Sequence, residues 1–467
     1  MKLLFYTCVI FCVLVQDSFC FTNVYGKIKQ RKYEGDAGEP LILTPLIKQG
    51  KIKEAQTAAE VKFKGLDHIR SYAAYLTVNE KYNSNMFFWF FPSQTDYAND
   101  PVVLWLQGGP GATSLIGLFT ENGPFIITAE QNIKLRKITW TQNHSVLYID
   151  NPVGTGYSFT NVGGYSRNEV DVGENLYKAL LQFFQLFPEL QKNDFFISGE
   201  SYGGKYVPAV SYTIYKNNPS AKQKINLQGL SIGNGLSDPE HQLKYGEYLY
   251  QIGLIDTNTR QLVQEYEAEG IKYIQNKQWI KAFKLFDDLL NGDMNNRSSL
   301  FKNITGFDNY FNYLIAKDIS KDMNYMGKFI QSAEVRSTIH VGNATFHGEN
   351  QIVEINLISD IMQSVAPWIS ELLSHCRVLI YNGQLDIIVA YPLTMNYLKG
   401  LNFNGADEYK KAVRHQWRVD NYLAGYVKQA GNLTEAMVRN AGHMVPGDQP
   451  RWALDLITRF TRNKPFY

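Results

Sequence analysis

Short apolar segments, separated by turn residues and by a clear helical repeat, restrict the fold of this chain more than any other feature. Six such segments, bounded by Gly, Pro or Asn, lie at residues 71–78, 86–91, 102–106, 146–150, 195–198 and 227–232. Short apolar runs with these boundaries predict buried strands.

A helix is predicted between two of these strands. Its apolar residues recur at helical spacing and are Val172, Leu176, Leu180, Phe184 and Phe187. Pro188 ends the run. Strands and helices in alternation predict an α/β fold, in which crossover helices join the strands of a mostly parallel central sheet.

Changes of composition divide the chain further. Residues 21–65 are polar and mixed and predict an extended N-terminal arm before the first part of the core, residues 66–237. Residues 238–364 are rich in Lys, Asp, Asn and Gln and have helical periodicity, which predicts a helical insertion. Residues 365–467 are predicted to complete the sheet, because strand signals return at 377–382, 416–419 and 422–428.

The N-terminus has the pattern of a secretory signal peptide. Lys2 precedes an apolar run over residues 3–15, and small or polar residues follow up to Cys20. The run is shorter than the roughly 20 residues that a membrane-spanning helix needs. We therefore predict cleavage after Cys20, and a secreted or lysosomal protein without a membrane span.

The cysteine positions bear on disulfide content. Three of the four cysteines lie within the predicted signal peptide, so Cys376 alone would remain in the mature chain. We predict no internal disulfide, and a buried, inert Cys376 thiol. Candidate glycosylation sequons are present at Asn143, Asn296, Asn303, Asn343 and Asn432.

The charge balance excludes a large electrostatic field of one sign. The chain has 46 Lys and Arg residues against 44 Asp and Glu residues, a net charge of +2. We therefore do not expect a nucleic-acid partner. The sequence has neither an H-E-x-x-H motif nor a P-loop, and it predicts neither a metal nor a cofactor.

Residues 199–203 fit the pattern G-x-S-x-G between a predicted strand and a predicted helix. Such a turn exposes the serine hydroxyl above the sheet, and the flanking glycines relieve crowding. Ser201 is therefore the candidate nucleophile. The alternative is a plain glycine-rich turn.

A serine nucleophile needs a base and an acid that orients the base. In this architecture the acid follows the serine in the chain, and the histidine follows the acid. His443 lies in a Gly- and Pro-bounded loop after the last strand signals and is the candidate base. Asp386 follows the strand predicted at 377–382 and is the candidate acid, although an Asp that caps the next segment is the alternative.

An oxyanion hole needs two backbone N–H groups, one from the residue after the nucleophile and one from an earlier loop. Tyr202 is the candidate for the first. The loop 107–111, which follows the strand predicted at 102–106, is the candidate for the second, because its glycines allow close backbone approach.

Four segments together resemble the serine carboxypeptidase family: residues 105–111, 151–158, 199–204 and 442–446. The resemblance extends from about residue 72 to the C-terminus, and the arm and Gln107 resemble the vitellogenic-like carboxypeptidase branch. It implies an α/β-hydrolase fold with a helical insertion, or lid, at the active-site mouth. It also implies a serine-type carboxypeptidase that releases C-terminal amino acids from peptide substrates, in an acidic compartment or outside the cell.

The resemblance also implies roles for individual residues. The triad would be Ser201, Asp386 and His443. The oxyanion donors would be Gly109 and Tyr202. The residues that bind the substrate's terminal carboxylate would be Glu200, Glu121, Gln107 and Trp105. Met444 would contact the side chain of the leaving residue.

Two positions depart from the family pattern. Gln107 stands where many members have Asn, and Ala112 stands where Cys is usual. Substrate binding at the carboxylate site should depend on pH, since an ionised Glu200 would repel the substrate carboxylate unless the two share a proton. Acidic pH is therefore expected to favour binding.

Two other functions fit parts of the sequence. An acyltransferase of the same fold would use the same acyl-enzyme with a different acceptor. A secreted, non-catalytic binding protein of this fold would usually lack the nucleophile or the histidine, and both are present here.

Overall fold

An eleven-stranded sheet crosses the centre of the protein in the computed structural model, which describes residues 28, 35–66, 68–292, 294, 297–317 and 321–467. The predicted signal peptide, residues 1–20, lies outside the described residues. The sequon at Asn296 lies outside them as well.

The strands of the large sheet and of one small hairpin follow a simple chain order. They are β1 Glu60–Val61, β2 Ser71–Asn79, β3 Ser84–Phe91, β4 Val102–Leu106, β5 Phe125–Ile127, β6 Ile133–Leu135, β7 Ser145–Ile149, β8 Phe195–Glu200, β9 Leu227–Gly233, β10 Arg377–Gly383, β11 His415–Val419, β12 Tyr422–Ala430 and β13 Leu433–Val438. Strands β5 and β6 form the hairpin.

The centre of the large sheet is parallel and its edges are antiparallel. The order across the sheet is β1-β2-β3-β7-β4-β8-β9-β10-β13-β12-β11. The strands from β7 to β13 in this order are parallel to one another. The outer strands on both sides pair in antiparallel fashion. The predicted α/β fold with a mostly parallel sheet is confirmed.

Helices flank the sheet and make up most of the chain segment that connects β9 to β10. They are Thr44–Lys48, Ile52–Ala59, Glu169–Leu186, Gly203–Asn217, Pro239–Gln242, Tyr245–Gln251, Thr257–Gln275, Trp279–Leu290, Leu300–Thr305, Lys321–Ile330, Ala333–Thr338, Gln351–Leu357, Ala366–Leu372, Tyr391–Leu398, Ala406–Lys411, Val445–Asp448 and Pro450–Thr461. Among the described residues, no helix has both the length and the apolar character to cross a membrane.

The sheet separates two apolar cores. Along β4, Leu104 and Leu106 pack into the core on one side, whereas Val103 and Trp105 pack into the core on the other. Successive side chains of a strand point to opposite faces, so a strand covered on both faces is apolar throughout. This explains why the short apolar runs predicted the central strands.

Two features of the fold differ from the prediction or were not anticipated. The arm was predicted to be extended, and this is wrong for residues 44–59, which form two short helices. Pro45 lies at the start of the first helix, where its fixed φ favours helix formation, and the buried Ile47 and Ala55 anchor both helices on the core. Strand β13 was not predicted at all. The boundaries of the insertion, residues 238–364, stay a prediction.

The parallel strands bring the candidate site residues to one edge of the sheet. Ser201 directly follows β8, and the glycine-rich loop follows the neighbouring β4. Asp386 follows β10, and His443 follows β13, which pairs with β10. Ligand sites of open parallel sheets lie at this carboxyl edge.

Candidate active site

Ser201 occupies a sharp turn between strand β8 and a helix. The strand ends at Glu200, Ser201 has a φ of 61°, and the helix begins at Gly203. A positive φ is uncommon outside glycine and marks a strained turn. The Ser201 N–H donates to the Gly233 carbonyl at 3.1 Å, which ties the turn to the end of β9. This is the strand-turn-helix geometry of a nucleophile elbow.

The glycine-rich loop after β4 lies directly against this turn. A Cβ atom on Gly108 would be 2.4 Å from the Tyr202 nitrogen, so no larger residue fits there. Asp150 fixes the segment that follows the loop, because its Oδ1 accepts from Thr113 Oγ1 at 2.5 Å and from the Ser114 N–H at 3.0 Å. Gly109, with a φ of 108°, and Tyr202 therefore belong to adjoining segments.

Asp386 and His443 form a buried pair. The His443 Nδ1 and the Asp386 Oδ2 are 2.9 Å apart, and both side chains have no exposed surface. Asp386 also accepts from the Ile388 N–H at 3.1 Å, so it caps the following segment as well. The predicted acid and the predicted base are in contact.

Asn234 links the serine turn to this pair, and the sequence analysis did not single it out. It follows Gly233, whose carbonyl holds Ser201, and its Nδ2 donates to the Asp386 Oδ2 at 2.6 Å. Its φ of 43° is left-handed, which suits an asparagine in a tight turn. The signal that was available is the Gly-Asn-Gly turn directly after a predicted strand.

Four buried side chains form an acid cluster beside the serine turn. Trp105 Nε1 donates to Gln107 Oε1 at 3.0 Å. Gln107 Nε2 donates to Glu200 Oε1 at 3.0 Å and to Glu121 Oε1 at 3.2 Å. The two carboxyl groups lie side by side, because each accepts from the same Gln107 Nε2. The longer side chain of Gln107 therefore still reaches both glutamates.

Burial sets the protonation of this acid cluster. Desolvation raises the pKa of Glu121 above its ordinary value, and the hydrogen bonds with Glu200 and Gln107 offset part of that effect. Two buried carboxyl groups in contact repel each other when both are ionised, so they favour sharing one proton. The pair therefore retains a proton at pH values where an exposed glutamic acid has lost its own.

Two cavities open next to these residues. The first, of about 280 Å³, is lined by His443, Met444 and Phe311, so Met444 lies beside the candidate base. The second is lined by Ser201, by the adjoining segments at Gly109 and Tyr202, and by apolar side chains of the helical region. A peptide could thus have side chains on both sides of its reacting bond.

The described sequons differ in the exposure of their asparagine side chains. Asn303, Asn343 and Asn432 are exposed. Asn143 is half-buried, its Nδ2 donates to Thr458 Oγ1 at 3.1 Å, and its Oδ1 is buried. The Nδ2 atoms of the three exposed asparagines also donate hydrogen bonds, to the Ser298 carbonyl, Asp36 Oδ1 and the Leu373 carbonyl, so the burial of Asn143 is what distinguishes it.

Cys376 is the single cysteine of the described ranges, and its thiol is free and buried. Burial raises the pKa of this thiol to about 12, so the reactive thiolate is scarce. In the part of the chain that the structure describes, no group of three or more His, Cys, Asp or Glu side chains could hold a metal ion.

Comparison with known proteins identifies the family of the chain. The family model described as serine carboxypeptidase matches residues 61–463. The chain is 60% identical to the venom serine carboxypeptidase of Apis mellifera, over 96% of each chain. It is 51% identical to the vitellogenic carboxypeptidase of Aedes aegypti, over 91% of each chain. It is 48% identical to a probable serine carboxypeptidase of Homo sapiens, CPVL, over 95% of this chain and 94% of the human one.

A solved structure supports the same fold. The crystal structure of the prohormone-processing carboxypeptidase KEX1(delta)p from Saccharomyces cerevisiae superimposes with a TM-score of 0.72 at 22% identity, over 87% of this chain and 96% of that one. This likeness confirms the α/β-hydrolase fold. The family match over residues 61–463 and the relatives that are 48–60% identical show that the chain belongs to the serine carboxypeptidase family.

Proposed function

We propose that this carboxypeptidase works through an acyl-enzyme on Ser201. The Ser201 Oγ attacks the carbonyl carbon of the last peptide bond, and its proton passes to His443 Nε2. That proton then moves to the nitrogen of the leaving amino acid as the C–N bond breaks, which leaves an ester on Ser201. Water attacks the ester by the same route and releases the shortened peptide.

The contact between His443 Nδ1 and Asp386 at 2.9 Å supports these roles. A carboxylate on Nδ1 keeps a proton there, which leaves Nε2 free to accept one, and it stabilises the imidazolium that forms. The backbone N–H groups of Gly109 and Tyr202 belong to adjoining segments, and we assign them to the developing oxyanion. Because these donors are part of the backbone, they are oriented before substrate binds.

The acid cluster is the observation that carries the exopeptidase assignment. We assign Glu121, Glu200 and Gln107 to the terminal carboxylate of the substrate, with Trp105 orienting the Gln107 amide. A protonated carboxyl can donate a hydrogen bond to that carboxylate, whereas an ionised one repels it. The raised pKa of Glu121 therefore favours activity in acid.

The predicted signal peptide and the sequons support a route through the secretory pathway. An acid optimum fits a lysosomal location, and the similarity to a venom protein fits secretion. We therefore propose a secreted or lysosomal enzyme that acts on peptides.

The assignment is tested with two N-blocked dipeptides that differ only at the C-terminus, one a free acid and the other an amide. Mass spectrometry follows amino-acid release in acid by the wild type, Ser201→Ala and the exposed-serine control Ser374→Ala. We expect the wild type and the control to prefer the free acid. Ser201→Ala is expected to lose a factor on the order of 10⁶ in rate while keeping its circular dichroism spectrum.

Two results would contradict the proposal. One is Ser201→Ala activity above a tenth of the wild type, which would exclude Ser201 as the nucleophile. The other is equal hydrolysis of acid and amide in acid, which would exclude the acid cluster as a carboxylate site.

A further inference from the structure

The cavity beside His443 carries charge as well as apolar surface. Phe311, Met323 and Met444 provide an apolar lining, and Asp322 and Asp448 add two carboxyl groups. Its volume of about 280 Å³ is large enough for a long side chain. The position of the cavity relative to the reacting peptide bond decides which substrate side chain occupies it.

Its position follows from the acid cluster. Thr120 lines the cavity and directly precedes Glu121 in the chain. Gly447, which also lines the cavity, packs against this segment, because a Cβ atom there would lie 3.1 Å from the Thr120 carbonyl oxygen and 3.8 Å from Glu121 Cγ. A substrate residue with its carboxylate at Glu121 and its nitrogen near His443 therefore directs its side chain into this cavity.

Asp322 is an exposed carboxylate in the first turn of the helix Lys321–Ile330. Among the described residues it makes neither a hydrogen bond nor an ion pair within 4.0 Å. Arg136 interacts electrostatically with Asp322, but its guanidinium already donates to the carbonyls of Gly123, Phe119 and Phe125. The Asp322 charge is therefore available to a ligand.

Asp448 is exposed as well, but one of its carboxyl oxygens is engaged by the backbone. Its Oδ2 accepts from the Gly442 N–H at 2.6 Å, next to the candidate base. Desolvation and the Asp386 charge raise its pKa, while Asn312 and His443 act in the opposite direction. Apart from His443, no cationic side chain of the described residues lines the cavity.

We propose that this cavity selects substrates with a basic C-terminal residue, arginine or lysine. The inference rests on the proposed function, because it takes Glu121 and Glu200 as the site of the terminal carboxylate. The methylene groups of the basic side chain pack on Met323 and Met444, and its cationic head lies near Asp322. Long basic side chains bury their stems in this way while the charge stays hydrated.

Apolar and acidic C-terminal residues would bind this cavity less favourably than a basic one. An apolar C-terminal residue would use the methionines but would cover the carboxylates without pairing them, which costs free energy. An acidic residue would be repelled by both carboxylates. The carboxylates thus decide between side chains of similar length.

The test compares arginine with citrulline, its uncharged isostere, as the C-terminal residue of otherwise identical N-blocked dipeptides. The kcat/KM ratio of arginine to citrulline is measured at about pH 6, where ordinary aspartates are ionised, for the wild type, Asp322→Asn and Asp407→Asn. Asp407 is an exposed acid of the helix Ala406–Lys411 and serves as the matched control. Using the ratio cancels any change common to both substrates.

We expect a wild-type ratio of about ten or more, which corresponds to roughly 1.4 kcal/mol. We expect the ratio to fall several-fold in Asp322→Asn and with added salt, since salt screens exposed charges, and to stay unchanged in Asp407→Asn. A wild-type ratio of one or less, or an unchanged ratio in Asp322→Asn, would overturn the inference. If the enzyme releases citrulline and leucine as fast as arginine, only the inferred preference for basic residues fails. If it releases none of the three, the proposed carboxypeptidase function itself is contradicted.

Discussion

The ring of Phe311 lies face to face on the imidazole of His443, with centroids 4.8 Å apart and an interplanar angle of 8°. The Phe311 carbonyl also accepts from the His443 N–H at 2.7 Å. Phe311 belongs to the predicted insertion, whereas His443 follows strand β13. A residue of the helical region therefore fixes both the plane and the backbone of the candidate base.

If Phe311 positions the base, Phe311→Ala lowers kcat by about tenfold to a hundredfold, since small misplacements of catalytic groups are costly. Phe311→Tyr keeps a ring on the imidazole and serves as the control, with activity near the wild type. Because Phe311 also lines the cavity for the leaving residue, peptide kinetics alone do not separate the two roles. The two roles are separated by a small serine-directed organophosphate, because this reagent carries no amino-acid residue that would occupy the cavity. An inactivation rate that is unchanged in Phe311→Ala would show that Phe311 is only a cavity wall.

The acid cluster predicts a pH dependence of substrate binding. Below the raised pKa of Glu121, the carboxyl pair carries a proton and can donate to the substrate. Above it, the ionised pair repels the substrate carboxylate. We expect the KM of a free-acid dipeptide to rise from about pH 5 to about pH 7, above the ordinary glutamate pKa. Initial-rate measurements across this range give the slope.

Glu121→Gln tests the cause of that slope. Glutamine keeps a hydrogen-bond donor without a titrating charge, so the KM of this variant should lose most of its pH dependence. A dipeptide amide serves as the control and should show little dependence in either protein. The same steep slope in Glu121→Gln would mean that another group controls binding.

The sequons are expected to differ in occupancy when the protein passes through the secretory pathway. The exposed Asn303 can carry a glycan without loss of a tertiary contact. A glycan on Asn143 would displace its hydrogen bond with Thr458 and expose a buried oxygen. Peptide mapping after enzymatic deglycosylation in H₂¹⁸O should label Asn303 and not Asn143. Full labelling of Asn143 would refute this reasoning.

Reducing agent is expected to leave the stability of the mature protein unchanged. Cys376 is buried and free, and a native disulfide would contribute about 2–5 kcal/mol. Differential scanning calorimetry with and without reductant should give the same Tm. A drop of several degrees under reductant would show either that a cysteine of residues 1–20 remains in the mature chain and forms a disulfide, or that Cys376 links two chains.

Local sequence determined the central strands because their burial makes them apolar at every position. Strand β4 was predicted at 102–106 and is observed at Val102–Leu106. Strand β13, Leu433–Val438, escaped prediction because it contains Glu435. That carboxylate is buried, and it accepts hydrogen bonds from the hydroxyls of Tyr391 and Tyr409, which belong to helices distant in the chain. A polar residue is tolerated in such a strand only when the folded chain provides these partners.

The sequence by itself also made Ser201 the candidate nucleophile, because the strand, the turn and the helix that surround it are local signals. The order of the chain then favoured Asp386 and His443. Only the tertiary structure decided that Glu121 contacts Glu200, that Asn234 holds Asp386, and that Phe311 stacks on His443. Turns and strands are encoded by neighbouring residues, whereas these contacts join distant parts of the chain. Their effects on charge and orientation depend on a burial that exists only once the sheet has assembled.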